Sequence, residues 1–106
     1  MPRKQNRIPV SINVILQCSS GRREARISDL SLGGCFIDCL MPIIEGEIVS
    51  FKLEVEDGIW LDLEGKVSYI FPMIGFGIRF LPMPEEKRGA LEHRILMSGA
   101  DPWRGD

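Results

Sequence analysis

Two short polar groups in the first third of the chain have the residue types needed to bind an anion and a flat heterocycle. The first is Arg-Lys-Gln-Asn-Arg at residues 3–7, and the second is Asp-Leu-Ser-Leu-Gly-Gly at residues 29–34. An arginine guanidinium is a planar fork of donors that can hold a phosphate or the O6/N7 edge of guanine, and it can also stack on a base. Arg3 and Arg7 therefore suit a nucleotide.

The second group complements the first. Asp29 can accept hydrogen bonds from the N–H groups of guanine, Ser31 supplies a hydroxyl, and Gly34 lets the backbone approach a ligand closely. Taken alone, Asp, Ser and Gly are also the residues that turns select for backbone reasons. Beside the arginine pair, they predict a ligand-binding loop.

A second arginine pair, Arg22 and Arg26, has the same four-residue spacing. It lies too close to Asp29 to leave room for an intervening strand and turn, whereas a strand and a hairpin fit between Arg7 and Asp29. Only the Arg3/Arg7 pair therefore fits together with the Asp-x-Ser-x-x-Gly group in one site. We expect Arg22, Arg23 and Arg26 to lie on a solvated strand face, with extension of the basic surface toward the ligand as the alternative.

Alternation of apolar and polar residues predicts six strands that position these groups. The predicted segments are residues 10–18, 25–28, 35–40, 49–56, 59–71 and 76–80. Gly65 interrupts the fifth segment and indicates a bulge or bend there. Short turns and the lack of intervening helices favour an all-β fold, an antiparallel barrel or a sandwich.

A short C-terminal helix is expected from Pro84 onward. Glu85 and Glu86 would lie in its first turn, where the helix dipole favours acidic residues, and Leu91 and Ile95 are four residues apart. We expect this helix to cover a barrel opening. Residues 98–106 have the composition of a flexible tail.

The composition is that of one globular domain. The chain has 106 residues, of which 44% are hydrophobic and 26% charged, with a net charge of −2. Residues 1–26 carry an excess of five positive charges, and the remainder carries an excess of seven negative charges. An acidic domain is a poor binder of long nucleic acid, but a local basic patch suits a small dianion. Without a signal peptide or a long apolar stretch, we expect a cytoplasmic location and no membrane insertion.

Nothing in the sequence indicates an enzyme, a metal site or a cofactor. Cys18, Cys35 and Cys39 lack paired spacing and His93 is distant, so we expect three small buried thiols in a reducing compartment. No Ser–His–Asp order and no phosphate-binding loop before a helix is visible.

Four phenylalanines occupy the alternating apolar positions of their predicted strands and are expected in the core: Phe51, Phe71, Phe76 and Phe80. Phe36, Trp60 and Tyr69 are less certain. A small barrel that binds single-stranded nucleic acid needs stacking aromatics on an exposed basic face. That function is therefore disfavoured, but it stays as an alternative.

The joint spacing Arg3-x-x-x-Arg7 and Asp29-x-Ser31-x-x-Gly34 resembles the PilZ family of bacterial cyclic di-GMP receptors. Residues 7–10, Arg-Ile-Pro-Val, and residues 75–80, Gly-Phe-Gly-Ile-Arg-Phe, also resemble the family's first-strand entry and last strand. The resemblance covers about residues 3–97. It implies a six-stranded antiparallel split β-barrel with a short C-terminal helix. The expected domain is residues 1–97, with a ligand-binding arm at residues 1–9.

The resemblance implies a role for each site residue. Arg3 and Arg7 would contact phosphate and guanine, Asp29 and Ser31 would contact the other side of the guanine, and Gly34 would shape the loop. Pro2 stands where some relatives carry arginine, a position associated in the family with binding of one nucleotide or a stacked pair. Both stoichiometries stay open.

A signalling mechanism follows from this resemblance. Cyclic di-GMP would order the arm over the barrel and change a surface that a downstream protein partner recognises. The alternative within the family is a protein adaptor that binds no nucleotide, as relatives lacking the motifs are.

Overall fold

The computed structural model describes residues 7–19 and 21–98, which form six antiparallel strands and one helix. The elements are β1 (Ile8–Cys18), β2 (Gly21–Leu30), β3 (Gly34–Asp38), β4 (Ile48–Glu56), β5 (Ile59–Phe71), β6 (Gly75–Phe80) and α1 (Glu85–Met97). The strand order is β1-β2-β3-β6-β5-β4, and pairing of β1 with β4 closes the barrel. The predicted six-stranded antiparallel barrel with a C-terminal helix is confirmed.

The barrel interior is built from the alternating apolar positions of the strands. Leu16 of β1 lies opposite Phe51 of β4, and Val14 lies opposite Leu53 in the same ladder. All four side chains are almost completely buried. Because removal of apolar surface from water drives folding, this alternation determines which face of each strand turns inward.

Helix α1 contributes two side chains to this core. Pro84 is its N-cap residue, and Leu91 and Ile95 are fully buried. The Lys87 Nζ donates to the Asp62 backbone carbonyl oxygen of β5 at 2.8 Å, which fixes the start of the helix against the barrel. No helix in residues 7–19 and 21–98 is both long and apolar enough to cross a membrane.

Several strand boundaries differ by one to four residues from the sequence-based prediction, and β2 and β3 differ at both ends. β2 begins at Gly21 rather than residue 25, because its ladder with β1 continues to the pair formed by Cys18 and Gly21. β3 ends at Asp38 rather than residue 40. Cys39 and Leu40 instead begin the connection to β4, where no ladder with a neighbouring strand is available to them.

The irregularity in β5 also lies elsewhere than predicted. Gly65 keeps its register, and the shift against β6 falls between Val67 and Tyr69. The extra residue reverses the parity of the strand, so that Tyr69 and Phe71 lie on the outer face. The prediction that Phe71 belongs to the core is therefore wrong, since its side chain is 53% exposed.

The other three phenylalanines follow the prediction. Phe51 and Phe76 are buried in the core, and Phe80 packs against it with its ring 6.0 Å from that of Phe51. Phe36, left uncertain by its sequence context, is buried on the outer face by Tyr69 and Phe71.

Candidate functional site

The end of β2 is irregular on both sides, and this irregularity determines where Asp29 points. The ladders with β1 and with β3 both change register beside Asp29. Ile27 and Leu30 are both fully buried, so the two residues between them, Ser28 and Asp29, lie together on the outer side. A bulge re-aims side chains in this way, and here it presents a carboxylate to solvent.

Arg7 lies beside this carboxylate although the two residues are far apart in sequence. Arg7 directly precedes β1, whose first residue Ile8 pairs with Leu30 at the end of β2. The Arg7 Nη1 donates to Asp29 Oδ1, forming a salt bridge. Both side chains are about one-third exposed, at 36% and 34%. A solvent-exposed pair of this kind contributes about 0–1 kcal/mol, so a ligand can separate the partners at little cost.

Ser31 holds the loop that follows β2. Its side chain is buried, and its hydroxyl accepts from the backbone N–H of Gly33 and that of Gly34, each at 3.2 Å. The same hydroxyl donates to the Gly34 carbonyl oxygen at 3.3 Å. One hydroxyl has one donor and two acceptor positions, so these three bonds use its whole capacity. Ser31 positions the loop, and the expected guanine contact of Ser31 stays a prediction.

Gly34 lets the loop approach β6. A Cβ at this position would lie 2.2 Å from the Ile78 carbonyl oxygen, which is backbone and cannot rotate away. The adjacent Gly33 carbonyl oxygen accepts from the Phe80 N–H at 2.9 Å. Glycine is needed here because two strands come close together. The expected role of Gly34 in the ligand site stays a prediction.

The structure thus brings four of the five predicted site residues to one region. Arg7 and Asp29 form the salt bridge, and Ser31 and Gly34 form the adjoining loop. Arg3 lies outside the described residues, as do the rest of residues 1–6.

Two further cations lie beside this loop on the neighbouring strands, and neither was among the predicted site residues. Gly34 pairs with Arg79 of β6, and Arg79 in turn pairs with Lys66 of β5. Both cations are exposed. The outward parity of Arg79 was visible in the sequence, but its register beside Gly34 was not. Together with Arg7, they make the surroundings of the loop suitable for an anion.

The second arginine pair lies on the exposed face of β2, as expected. The Arg26 Nη1 donates to the Ser11 hydroxyl of β1 at 3.0 Å, and Arg22 is exposed near the opposite end of the strand. Neither residue takes part in the salt bridge of Asp29 with Arg7.

Cys35 lies beneath the salt bridge and is an apolar part of the core. Burial raises the pKa of its thiol, and the Asp29 carboxylate raises it further, so the thiol stays neutral. The prediction of burial is correct for Cys35 but wrong for Cys18 and Cys39, which are only partly buried. Cys18 is the last residue of β1, and Cys39 directly follows β3.

Comparison with known families and structures gives a consistent result. The family model described as PilZ domain matches residues 2–96. The structure is similar to the Bacillus subtilis inhibitor of motility MotI/DgrA, with a TM-score of 0.75, 15% identity and coverage of 92% of this chain and 52% of that chain. No curated protein matches the sequence.

Two further similar structures were solved in complex with c-di-GMP. YcgR from Escherichia coli gives a TM-score of 0.73 at 20% identity, covering 91% of this chain and 45% of that chain. PlzA from Borreliella burgdorferi gives 0.66 at 21% identity, covering 87% of this chain and 40% of that chain. The chain therefore spans about half the length of these proteins.

The role of Ser31 can be tested by removing its hydroxyl. We expect Ser31→Ala to lower the free energy of unfolding by about 1–3 kcal/mol, because two N–H groups lose their acceptor in a buried loop. Ser50→Ala, on the exposed face of β4, is the matched control and should change stability little. Urea denaturation measures both variants, and equal stability of the two would contradict the structural role.

Alanine substitutions at two glycines should have opposite effects, because a Cβ at Gly34 would meet β6 whereas a Cβ at Gly89 would meet nothing. Gly34→Ala should destabilise the chain by about 1–3 kcal/mol, because β6 must move to accommodate the methyl group. Gly89→Ala should stabilise it by about 1 kcal/mol, since Gly89 lies in α1 with open space around its Cβ position. Thermal and urea denaturation of both variants check the prediction. A tolerated Gly34→Ala would show that β3 does not need the glycine.

Proposed function

The chain belongs to the PilZ domain family, and from this membership we propose that it is a receptor for the bacterial second messenger cyclic di-GMP. The observation that carries the proposal is the contact of Arg7 with Asp29, which joins the two sequence groups across 22 residues. The c-di-GMP complexes of YcgR and PlzA, which share this fold, support the choice of ligand.

The charges of the salt bridge match this ligand. Cyclic di-GMP carries two anionic phosphates and two guanines, and guanine presents N–H donors. When the ligand enters, Arg7 exchanges a carboxylate for a phosphate or the guanine acceptor edge, and Asp29 exchanges a guanidinium for guanine N–H groups. Neither charge loses its partner, so binding avoids the cost of leaving a charged group unsatisfied.

The remaining site residues have supporting roles in this proposal. Arg3 supplies a second guanidinium from the arm, Ser31 lies on the guanine side, and Gly34 shapes the loop. Because its hydroxyl bonds hold the loop, Ser31 would contact guanine only by giving up one of those bonds.

Binding would order the N-terminal arm against the barrel and so signal to a downstream protein partner. Fixing backbone costs about 1–2 kcal/mol per residue. Charge-assisted hydrogen bonds of about 1.5–3 kcal/mol each, together with base stacking, offset this cost. The ordered arm then presents a surface that differs from that of the unbound protein.

Calorimetric titration with cyclic di-GMP tests the receptor function. We expect saturable binding, and we expect Arg7→Ala to abolish it while the barrel stays folded, because Arg7 lies outside the core. Arg22→Ala is the matched control, since Arg22 is an exposed arginine of the alternative pair. GTP and a short single-stranded oligonucleotide serve as competitors.

Each outcome separates the alternatives. Loss of binding in Arg7→Ala with retention in Arg22→Ala supports the proposal. No heat from the folded wild type would favour the adaptor that binds no nucleotide. Displacement by the oligonucleotide would favour a single-stranded nucleic-acid binder.

Salt dependence provides a second test. The Arg7 guanidinium is partly exposed, so raising the ionic strength should screen its contact with phosphate and weaken affinity. Titrations at increasing sodium chloride concentration measure this effect. An affinity that does not change with salt would mean that arginine–phosphate contacts contribute little.

A further inference from the structure

Exposed apolar side chains are concentrated at one end of the barrel. This apolar end consists of the β3–β4 connection and the β5–β6 hairpin, residues 38–48 and 70–76, and Arg7 lies toward the other end of β1. Five large apolar side chains there are each more than half exposed: Leu40, Ile44, Phe71, Met73 and Ile74. Exposed apolar groups that cluster in this way mark interaction sites.

The β5–β6 hairpin is unusual for a solvent-facing turn. Its tip reads Phe71-Pro72-Met73-Ile74, whereas turns normally select small or polar residues. Met73 has a φ of 70°, a left-handed conformation that favours glycine or asparagine, and its side chain is 83% exposed. The fold thus keeps a methionine at a position where both backbone and solvent favour other residues.

A groove separates this hairpin from the β3–β4 connection. Its volume is about 260 Å³, and every residue lining it is uncharged. Met41, Pro42 and Ile43 form one side, and Phe71 and Met73 belong to the other. Methionine side chains adapt their shape to a partner, which suits a protein-binding groove.

The surroundings of the groove are acidic. Residues 38–48 and 70–76 contain Asp38, Glu45 and Glu47 and no lysine, arginine or histidine. The Glu47 carboxylate accepts from the Ser19 backbone N–H at 3.0 Å and from the Ser19 hydroxyl at 2.6 Å, and these bonds hold its pKa below the ordinary range. The Asp38 carboxylate accepts from the Ser28 hydroxyl at 2.9 Å and Asp38 pairs with Arg26, so this carboxylate faces β2 rather than the groove. The Arg23 Nη1 donates to the Leu40 carbonyl oxygen at 3.4 Å and brings a cation to the edge, beside Glu45 and Glu47. The rim keeps a negative excess.

We propose that the apolar end binds an amphipathic helix of a partner protein, with an apolar ridge in the groove and lysine or arginine along its borders. Apolar contact would supply affinity, and the acidic rim would select a basic partner. The proposal extends the receptor function and rests on it only for the signal that the partner receives.

Two other occupants fit the charge pattern less well. A second copy of this chain, related by a two-fold axis, would place acidic rim against acidic rim. An anionic membrane surface would repel the rim as well. A basic protein segment is the occupant that satisfies both the groove and its charged border.

The test uses a synthetic amphipathic helical peptide with leucines on one face and lysines along the borders. We expect it to shift amide resonances of residues 38–48 and 70–76 in the ¹⁵N spectrum of the full chain. The same peptide with glutamate in place of lysine is the control for charge. Equal binding of the two peptides, or shifts confined to other residues, would overturn the proposal.

Two neutral substitutions locate the surface. Ile74→Gln should weaken lysine-peptide binding by about tenfold, because an exposed apolar contact of the apolar end, beside the groove, is lost. Leu96→Gln on α1 is the matched control, since the exposures of Ile74 and Leu96 are similar at 58% and 53%, and its affinity should match that of the wild type. Equal affinity of Ile74→Gln and the wild type would overturn the assignment.

Parallel measurements distinguish the other occupants and the receptor function. A wild-type dimer in analytical ultracentrifugation that Ile74→Gln dissociates would assign the face to a second copy. Co-sedimentation with phosphatidylserine vesicles, lost in Ile74→Gln, would assign it to a membrane. Cyclic di-GMP titration of Ile74→Gln should match that of the wild type. Peptide binding without nucleotide binding would therefore refute only the receptor function. Nucleotide binding without peptide binding would refute only the docking surface.

Discussion

Backbone pairing between β1 and β4 closes the sheet into a barrel, and the placement of every functional group depends on that closure. Val14 lies opposite Leu53 and Leu16 opposite Phe51, so the inward positions of both strands fill one interior. Because a small closed barrel has an interior just wide enough for its own side chains, a ligand or partner must bind outside it. Function is therefore confined to the outer face, the loops and the chain ends.

Bulges are the means by which a regular barrel places particular side chains on its outer face. The bulge in β2 turns Asp29 outward, and the bulge in β5 turns Tyr69 and Phe71 outward. Gly77 of β6 makes room for the second group, since a Cβ there would lie 2.2 Å from the Tyr69 ring. The two bulges lie on opposite sides of β3 and β6, and Phe36 of β3 connects the surfaces that they create.

Contacts of Phe36 make the outer face continuous from Asp29 to the apolar groove. Asp29 pairs in register with Phe36, whose ring lies 5.9 Å from that of Phe71 at the edge of the apolar groove. Phe36 thus lies between the proposed nucleotide site and the proposed docking surface, which differ in chemistry. One is charged and partly exposed, and the other is apolar with an acidic rim. Because the two proposed sites are lined by different residues, a small anion and a basic protein segment would not compete for the same contacts.

The sequence by itself determined the strands, the helix and the pairing of an arginine group with an Asp-x-Ser-x-x-Gly group. These features are local, because a period of two and a motif spacing can be read along the chain. Only the tertiary structure decided that Arg7 lies against Asp29, that the Ser31 hydroxyl is used within its own loop, and that Phe71 is exposed. Those outcomes depend on register and on bulges, which are set by contacts between strands distant in sequence. An alternating pattern cannot show where one extra residue reverses the parity of a strand.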